Sequence, residues 1–217
     1  MPYTLTVAVS KGRLLPETAA AWSKSGWKWP KTERCFWLPP DQSSPGLIIA
    51  RGADIPGLVQ DGIAAFGIVG RDIIEEAHAS VLDVLDLGFS ACRMVLAGRD
   101  DKSPSGPVRV ATKYPRIARQ FFGDKGYAVE LVKLSGSLEL APHIGLASYI
   151  VDIAQTGGTL RENRLQEIET IFESTARLIA HPATWRDSAE AQTIFQRLAA
   201  STKPEIVATA ATSEGAP

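Results

Sequence analysis

The chain places Thr156-Gly157-Gly158-Thr159 one residue after the apolar run Tyr149–Ala154, and that run carries one acid, Asp152. If the run is a strand and a helix opens at the tetrapeptide, several main-chain N–H groups lack intrahelical acceptors and converge on one point, where the helix dipole also favours negative charge. Gly157 and Gly158 remove the side chains that would crowd a bound phosphate, and the hydroxyls of Thr156 and Thr159 add donors. Asp152 is then placed to accept from sugar hydroxyls. Together these groups fit a sugar phosphate. Taken alone, the same tetrapeptide serves equally as a plain strand-to-helix turn. It is not a Walker loop, because no Gly-Lys-Ser/Thr follows, and it lacks the three-glycine spacing of a dinucleotide fingerprint.

Other strand-like runs end in cations. TLTVAVS leads into Lys11-Gly12-Arg13, GLIIA into Arg51, and FGIVG into Arg71 and Asp72. In an open α/β sheet, ligands gather at the carboxyl ends of the strands, so cations at three such ends suit a polyanion. A solvated basic turn is the alternative reading for any one of them.

These residues must be positioned by strands and helices that alternate along the chain. Eight apolar runs of strand length (TLTVAVS, GLIIAR, AAFGIVG, MVLAG, VRVAT, AVELVKL, YIVDIA, RLIAH) are separated by segments with helical periodicity or capping signals at 14–25, 53–61, 115–122 and 185–200. That order predicts α/β layers with largely parallel sheets. Gly98–Pro107 clusters charge, Ser, Pro and Gly; it reads either as a domain boundary or as a hairpin loop within one lobe. The small-residue segment 203–217 predicts a flexible tail.

Composition narrows the class of function. Of 217 residues, 45% are hydrophobic and 22% charged, which is an ordinary folded composition. Lys+Arg 23 against Asp+Glu 24 leaves a formal net charge of −1, so there is no bulk positive field to hold nucleic acid, and any anion site is built locally. No run approaches the roughly 18 apolar residues a membrane span needs, and the N-terminus lacks the basic and apolar regions of a signal peptide; the expectation is a cytoplasmic protein. Cys35 and Cys92 have no metal-ligand spacing and read as packed thiols in a reducing compartment. His78, His143 and His181 share no metal spacing either, so no metal site made of side chains is expected. Trp22, Trp27 and Trp29 read as core packing rather than as a base-stacking platform.

The segments VSKGRL, ARGADIPGLVQDGIAAFGIVGRD, ATKYPRIARQFF and KLSGSLELAPHIGLASYIVDIAQTGGTLREN, in that order, resemble ATP phosphoribosyltransferase, the enzyme that opens histidine biosynthesis. The resemblance runs from about Leu5 to Ile179, and the length is similar to that of the short form, which works with a separate histidyl-tRNA-synthetase-like regulatory subunit. It implies transfer of the phosphoribosyl group of phosphoribosyl pyrophosphate to N1 of ATP, with release of pyrophosphate and a requirement for Mg2+ held mainly by substrate phosphates. It implies an α/β fold of two lobes, like type II periplasmic binding proteins, with the active site in a cleft. Residues 1–90 with 173–202 would form lobe I and 91–172 lobe II. By the same resemblance Arg34 and Arg51 serve the pyrophosphate, Lys11 and Arg13 other substrate phosphates, Thr156, Gly157, Gly158 and Thr159 the 5'-phosphate, Asp152 the ribose hydroxyls, and Glu139 the ribose or a magnesium-bound water. Lys113 and Tyr114 match a family motif without an assigned role. A homodimer within a hetero-oligomer is the implied assembly. The chain departs from the family pattern at Ser148, where an acid is expected, at Arg164, where glycine is, and at Cys35, where a second basic residue is common. The rival reading is a non-catalytic small-anion or solute-binding protein of the same two-lobed fold.

Overall fold

The structure is a computed structural model that describes residues 4–31, 35–100, 102 and 104–202. Arg34 and the expected tail 203–217 lie outside the described residues. The chain divides into two compact units, one made of the described residues of Met1–Ser90 and Thr175–Pro217, the other of Ala91–Ser174. The return passage falls after Ser174, two residues beyond the boundary after residue 172 that the resemblance implies. The Gly98–Pro107 segment is a connection inside the second unit and not a boundary.

In unit one the order is β1 (Thr6–Ser10), α1 (Leu15–Lys24), β2 (Trp37–Leu38), β3 (Gly46–Ala50), α2 (Ile55–Gln60), β4 (Phe66–Gly70), α3 (Arg71–Ala77) and β5 (Leu82–Asp86). In unit two it is β6 (Cys92–Gly98), β7 (Val108–Thr112), α4 (Pro115–Asp124), β8 (Val129–Lys133), α5 (Leu140–His143), β9 (Tyr149–Ala154), α6 (Gly158–Glu162) and β10 (Gln166–Ser174). The chain then re-enters unit one as β11 (Ala176–Ala180), α7 (Pro182–Asp187) and α8 (Ala189–Ser201). Ser188 caps α8 through the Ala191 N–H, which breaks the single helix expected over 185–200 into two.

The first sheet runs β2-β3-β1-β4-β11-β5 and the second β10-β6-β9-β7-β8. β1 is parallel to β3 and β4, and β7 is parallel to β8 and β9. The rest of the pairing is antiparallel, through β11 and the edge strand β2 in unit one and through β6 in unit two, so the sheets are mixed rather than largely parallel. The parallel strands are the ones whose carboxyl ends carry the candidate residues.

Strand alternation sends Val7 and Val9 to a core with Trp22, Phe66, Ile68, Leu178, Ile194 and Leu198, and Ala8 to a second core with Ile55, Val59 and Ile179 on the opposite face. Helices thus cover both faces of β1 and β4, and every residue of both strands is buried. Trp22 is fully buried, its ring 4.8 Å from that of Trp27, and its indole N–H donates to the Lys28 carbonyl at 3.0 Å, so the tryptophan cluster seals α1 onto the sheet. Arg177 on β11 is largely buried and meets two carboxylates, Asp83 at 2.9 Å and Asp86 at 2.7 Å, tying β11 to β5. In unit two, Val95, Ala111, Leu138, Ile150, Leu160 and Leu165 form the core under the β9–α6 turn.

Candidate active site

β9 brings Asp152 and the TGGT turn to the same end of the second sheet. After Ala154 the chain turns through Gln155 and Thr156 to Gly157, whose φ of 71° lies in the left-handed region that glycine tolerates without strain. The first bond of α6 runs from the Arg161 N–H to the Gly157 carbonyl at 3.1 Å, which leaves the amides ahead of it without intrahelical acceptors. α6 is only five residues long, so its dipole adds little, and the anion-attracting capacity of the turn rests on those amides and the threonine hydroxyls.

The turn is held from behind. Arg161 Nη1 donates to the Thr156 carbonyl at 3.0 Å, and the Asn163 side chain donates to the Thr159 carbonyl at 2.9 Å. The helix ends in a Schellman arrangement: the Leu165 N–H reaches the Leu160 carbonyl at 2.8 Å and the Arg164 N–H the Arg161 carbonyl at 3.0 Å. Leu160 and Leu165, both buried, pin the helix to the core. Arg164, where the family pattern has glycine, adopts φ 52°, which explains that preference in conformational terms.

Val95, Glu139, Asp152 and the loop from Ile153 to Leu160 line a cavity of about 180 Å³. The structure therefore brings together six of the expected residues: Glu139, Asp152, Thr156, Gly157, Gly158 and Thr159. Glu139 arrives at the N-terminal end of the short helix α5. Asp152 is half-buried, and burial pushes its carboxyl above the ordinary carboxylate range; the nearby charge of Glu139 adds to the rise, while the Lys113 ammonium and the Ile153 N–H oppose it.

Lys113 was missed as a partner by the sequence. Its Nζ lies 3.1 Å from Asp152 Oδ1, the oxygen that also accepts from the Ile153 N–H at 2.8 Å. The pairing follows from topology: β7 and β9 are parallel neighbours with Thr112 opposite Val151, so the next residue of each, Lys113 and Asp152, emerges at the same edge. The Thr112 hydroxyl fixes this edge by donating to the Val151 carbonyl at 2.7 Å and accepting from the Tyr114 N–H at 2.8 Å.

In unit one, β1, β3 and β4 are neighbours, so Lys11, Arg51 and Arg71 stand at adjacent carboxyl ends of parallel strands. Lys11 and Arg51 are exposed. Arg71 sits 3.5 Å from Glu75 one turn along α3. Arg13 is half-buried and donates to the Ser90 main-chain carbonyl; Glu17 accepts from the Ser90 hydroxyl. One main-chain contact leaves other donors of the Arg13 guanidinium for a ligand. The histidines take local structural partners: His143 contacts the Asn163 carbonyl at 2.6 Å, and His181 caps α7 by accepting from the Thr184 N–H. Cys35 is half-buried and Cys92 buried, and neither forms a disulfide. Of the departures, Ser148 is exposed and its N–H donates to the Arg109 carbonyl.

The fold is α/β in two units, and the second unit sets a carboxylate and a Thr-Gly-Gly-Thr turn around one cavity at a strand end. Likeness to the periplasmic aliphatic sulphonate binding protein SsuA from Escherichia coli, with a TM-score of 0.58 at 11% identity over 93% of this chain and 73% of that one, shows the fold alone. The ATP phosphoribosyltransferase family model matches residues 51–200, and the chain belongs to that family. An ATP phosphoribosyltransferase of Desulfitobacterium hafniense is 42% identical over 197 residues, 84% of this chain and 88% of the relative. The ATP phosphoribosyl transferase (HisG:HisZ) complex from Thermotoga maritima contains a chain that superimposes with a TM-score of 0.81 at 30% identity, covering 91% of this chain and 98% of that one. The function is accordingly that of a transferase in histidine biosynthesis, and the solute-binding alternative is not favoured. Among the described residues no helix is long and apolar enough to cross a membrane.

Proposed function

We propose that the chain joins N1 of ATP to the anomeric carbon of phosphoribosyl pyrophosphate. The lone pair of adenine N1 forms the new C–N bond as the C–O bond to pyrophosphate breaks, and the bonding electrons leave with pyrophosphate. Such a displacement needs its leaving charge neutralised more than it needs a strong base. The observation that carries the reading is the cavity shared by Asp152 and the TGGT turn, since a carboxylate and a cluster of amide and hydroxyl donors on one small surface match a ribose 5'-phosphate.

In this reading the amides of Gly157, Gly158 and Thr159 and the hydroxyls of Thr156 and Thr159 hold the 5'-phosphate, and Asp152 accepts from the ribose hydroxyls. Lys113 keeps the Asp152 carboxyl ionised and oriented against the cost of its burial. Lys11, Arg13 and Arg51 neutralise phosphate charge on the substrates, Arg51 together with Arg34 serving the departing pyrophosphate. Glu139 and Asp152 offer the oxygen donors that a hard cation prefers, which fits a magnesium ion brought by substrate phosphates. When bound, magnesium supplies charge neutralisation at the pyrophosphate.

The setting we propose is the cytoplasm, with a homodimer of this chain joined to a histidyl-tRNA-synthetase-like regulatory subunit. The regulatory partner is supported by the Thermotoga maritima complex, in which HisG is joined to HisZ. The test is formation of phosphoribosyl-ATP from ATP and phosphoribosyl pyrophosphate with magnesium, with and without the regulatory subunit. Product formation by the wild type that is strongly reduced in Arg51→Ala and Thr159→Ala supports the assignment. A folded wild-type protein that makes no product under either condition overturns it.

A further inference from the structure

Beside the cations of unit one stands an aromatic ring with no part in the roles above. Phe36 is 52% exposed, among the most exposed large apolar side chains of the described residues. It precedes the edge strand β2, and its carbonyl accepts from the Ile49 N–H at 2.9 Å. Ile49 in turn lies opposite Val9 on β1. Phe36, Ile49 and Val9 therefore form a line across three strands, one residue short of the carboxyl ends from which Arg51 and Lys11 emerge. The Lys11 ammonium lies 5.4 Å from the centre of the Phe36 ring.

We infer that Phe36 is the stacking platform for the adenine of ATP, with Lys11 beside it for the triphosphate; the inference rests on the phosphoribosyl-transfer reading. An exposed phenyl face next to the Lys11 ammonium offers the two chemistries a nucleotide requires, a π-surface for the base and positive charge for the phosphates. Stacking also suits the reaction. It grips a purine by its face and makes no demand on the edge that carries N1, so the attacking lone pair stays available. A site that recognised the same edge by hydrogen bonds would occupy the nucleophile. The side chains of Trp22 and Trp27, buried in the core, offer no such face.

The experiment is calorimetric titration of wild type, Phe36→Leu and Phe36→Tyr with ATP, with inorganic tripolyphosphate and with phosphoribosyl pyrophosphate, alongside product assays and light scattering. Phe36→Leu is expected to weaken ATP by about fivefold to a hundredfold, the range base–aromatic stacking gives, while tripolyphosphate and phosphoribosyl pyrophosphate change by less than about twofold. Phe36→Tyr, which keeps a π-face, restores ATP binding. Unchanged ATP affinity in Phe36→Leu in an otherwise active enzyme overturns this inference and leaves the function standing. Equal losses for ATP and tripolyphosphate overturn it too, since the ring would then act only through Lys11, as would a change of oligomeric state, which would assign the ring to a contact between copies. A wild type that neither binds ATP nor forms product removes both the inference and the function on which it rests.

Discussion

Replacing Gly157 by alanine separates the conformational demand of the phosphate turn from its chemistry. Gly157 has φ 71°, and a Cβ there would lie 3.1 Å from Arg161 Nη1. A side chain in the left-handed region costs about 1–2 kcal/mol. The Arg161 tip can yield, but only by loosening its 3.0 Å bond to the Thr156 carbonyl, an exposed contact worth at most about 1 kcal/mol. The sum is about 2 kcal/mol, or about 4–8 °C in Tm for a chain of this size. Gly158 is the control: its added Cβ meets only the Thr156 hydroxyl, at the ordinary distance of 3.5 Å, and α6 starts at this residue, so Gly158→Ala should leave Tm nearly unchanged. Calorimetric melting of both variants, with titration of phosphoribosyl pyrophosphate, is the assay. Gly157→Ala should melt lower and bind that substrate more weakly, because the amides no longer converge. If Gly157→Ala melts like wild type while Gly158→Ala does not, the described turn geometry is wrong.

Other outcomes follow from the same structure. Arg164→Gly relieves φ 52° at the end of α6 and should raise stability by about 0.5–1 kcal/mol in denaturant melts without loss of activity. Asp152 titrates higher in the folded than in the unfolded chain, so the folded state binds more protons across that window, and stability falls as pH rises from the unfolded pKa through the folded one. Asp152→Asn should therefore flatten that part of the stability–pH profile and raise Tm at neutral pH, while affinity for phosphoribosyl pyrophosphate is lost. Arg177→Met leaves Asp83 and Asp86 without their partner and should cost about 3 kcal/mol in urea melts, with kcat of the remaining folded enzyme little changed. Arg51→Ala should lower kcat/KM by about 10- to 100-fold, the loss of one charged contact, with Tm unchanged because the side chain is exposed.

What the sequence made legible was local. Thr156–Thr159 could be read as a turn because its glycines, threonines and preceding apolar strand are contiguous, and Lys11, Arg51 and Arg71 could be placed because each directly follows a strand. Partnerships set by strand order were not legible. Lys113 meets Asp152 only because β7 and β9 are neighbours, and no spacing between two residues so far apart in the chain encodes that adjacency. Phe36 hid for the same reason, since its place beside Lys11 depends on β2 lying against β3 and β3 against β1. β5 and β10 escaped recognition because acids break their apolar pattern, those of β5 being the carboxylates that Arg177 pairs. The length of α6 was out of reach as well: the Schellman ending at Arg164 lacks the glycine that would have announced it.

The most direct test of the central claim is a crystal structure of the chain with phosphoribosyl pyrophosphate and magnesium. The account predicts the 5'-phosphate within hydrogen-bond distance of the amides of Gly157, Gly158 and Thr159, and the ribose hydroxyls on the Asp152 carboxylate. A 5'-phosphate bound elsewhere, with the TGGT turn touching no substrate atom, would contradict it.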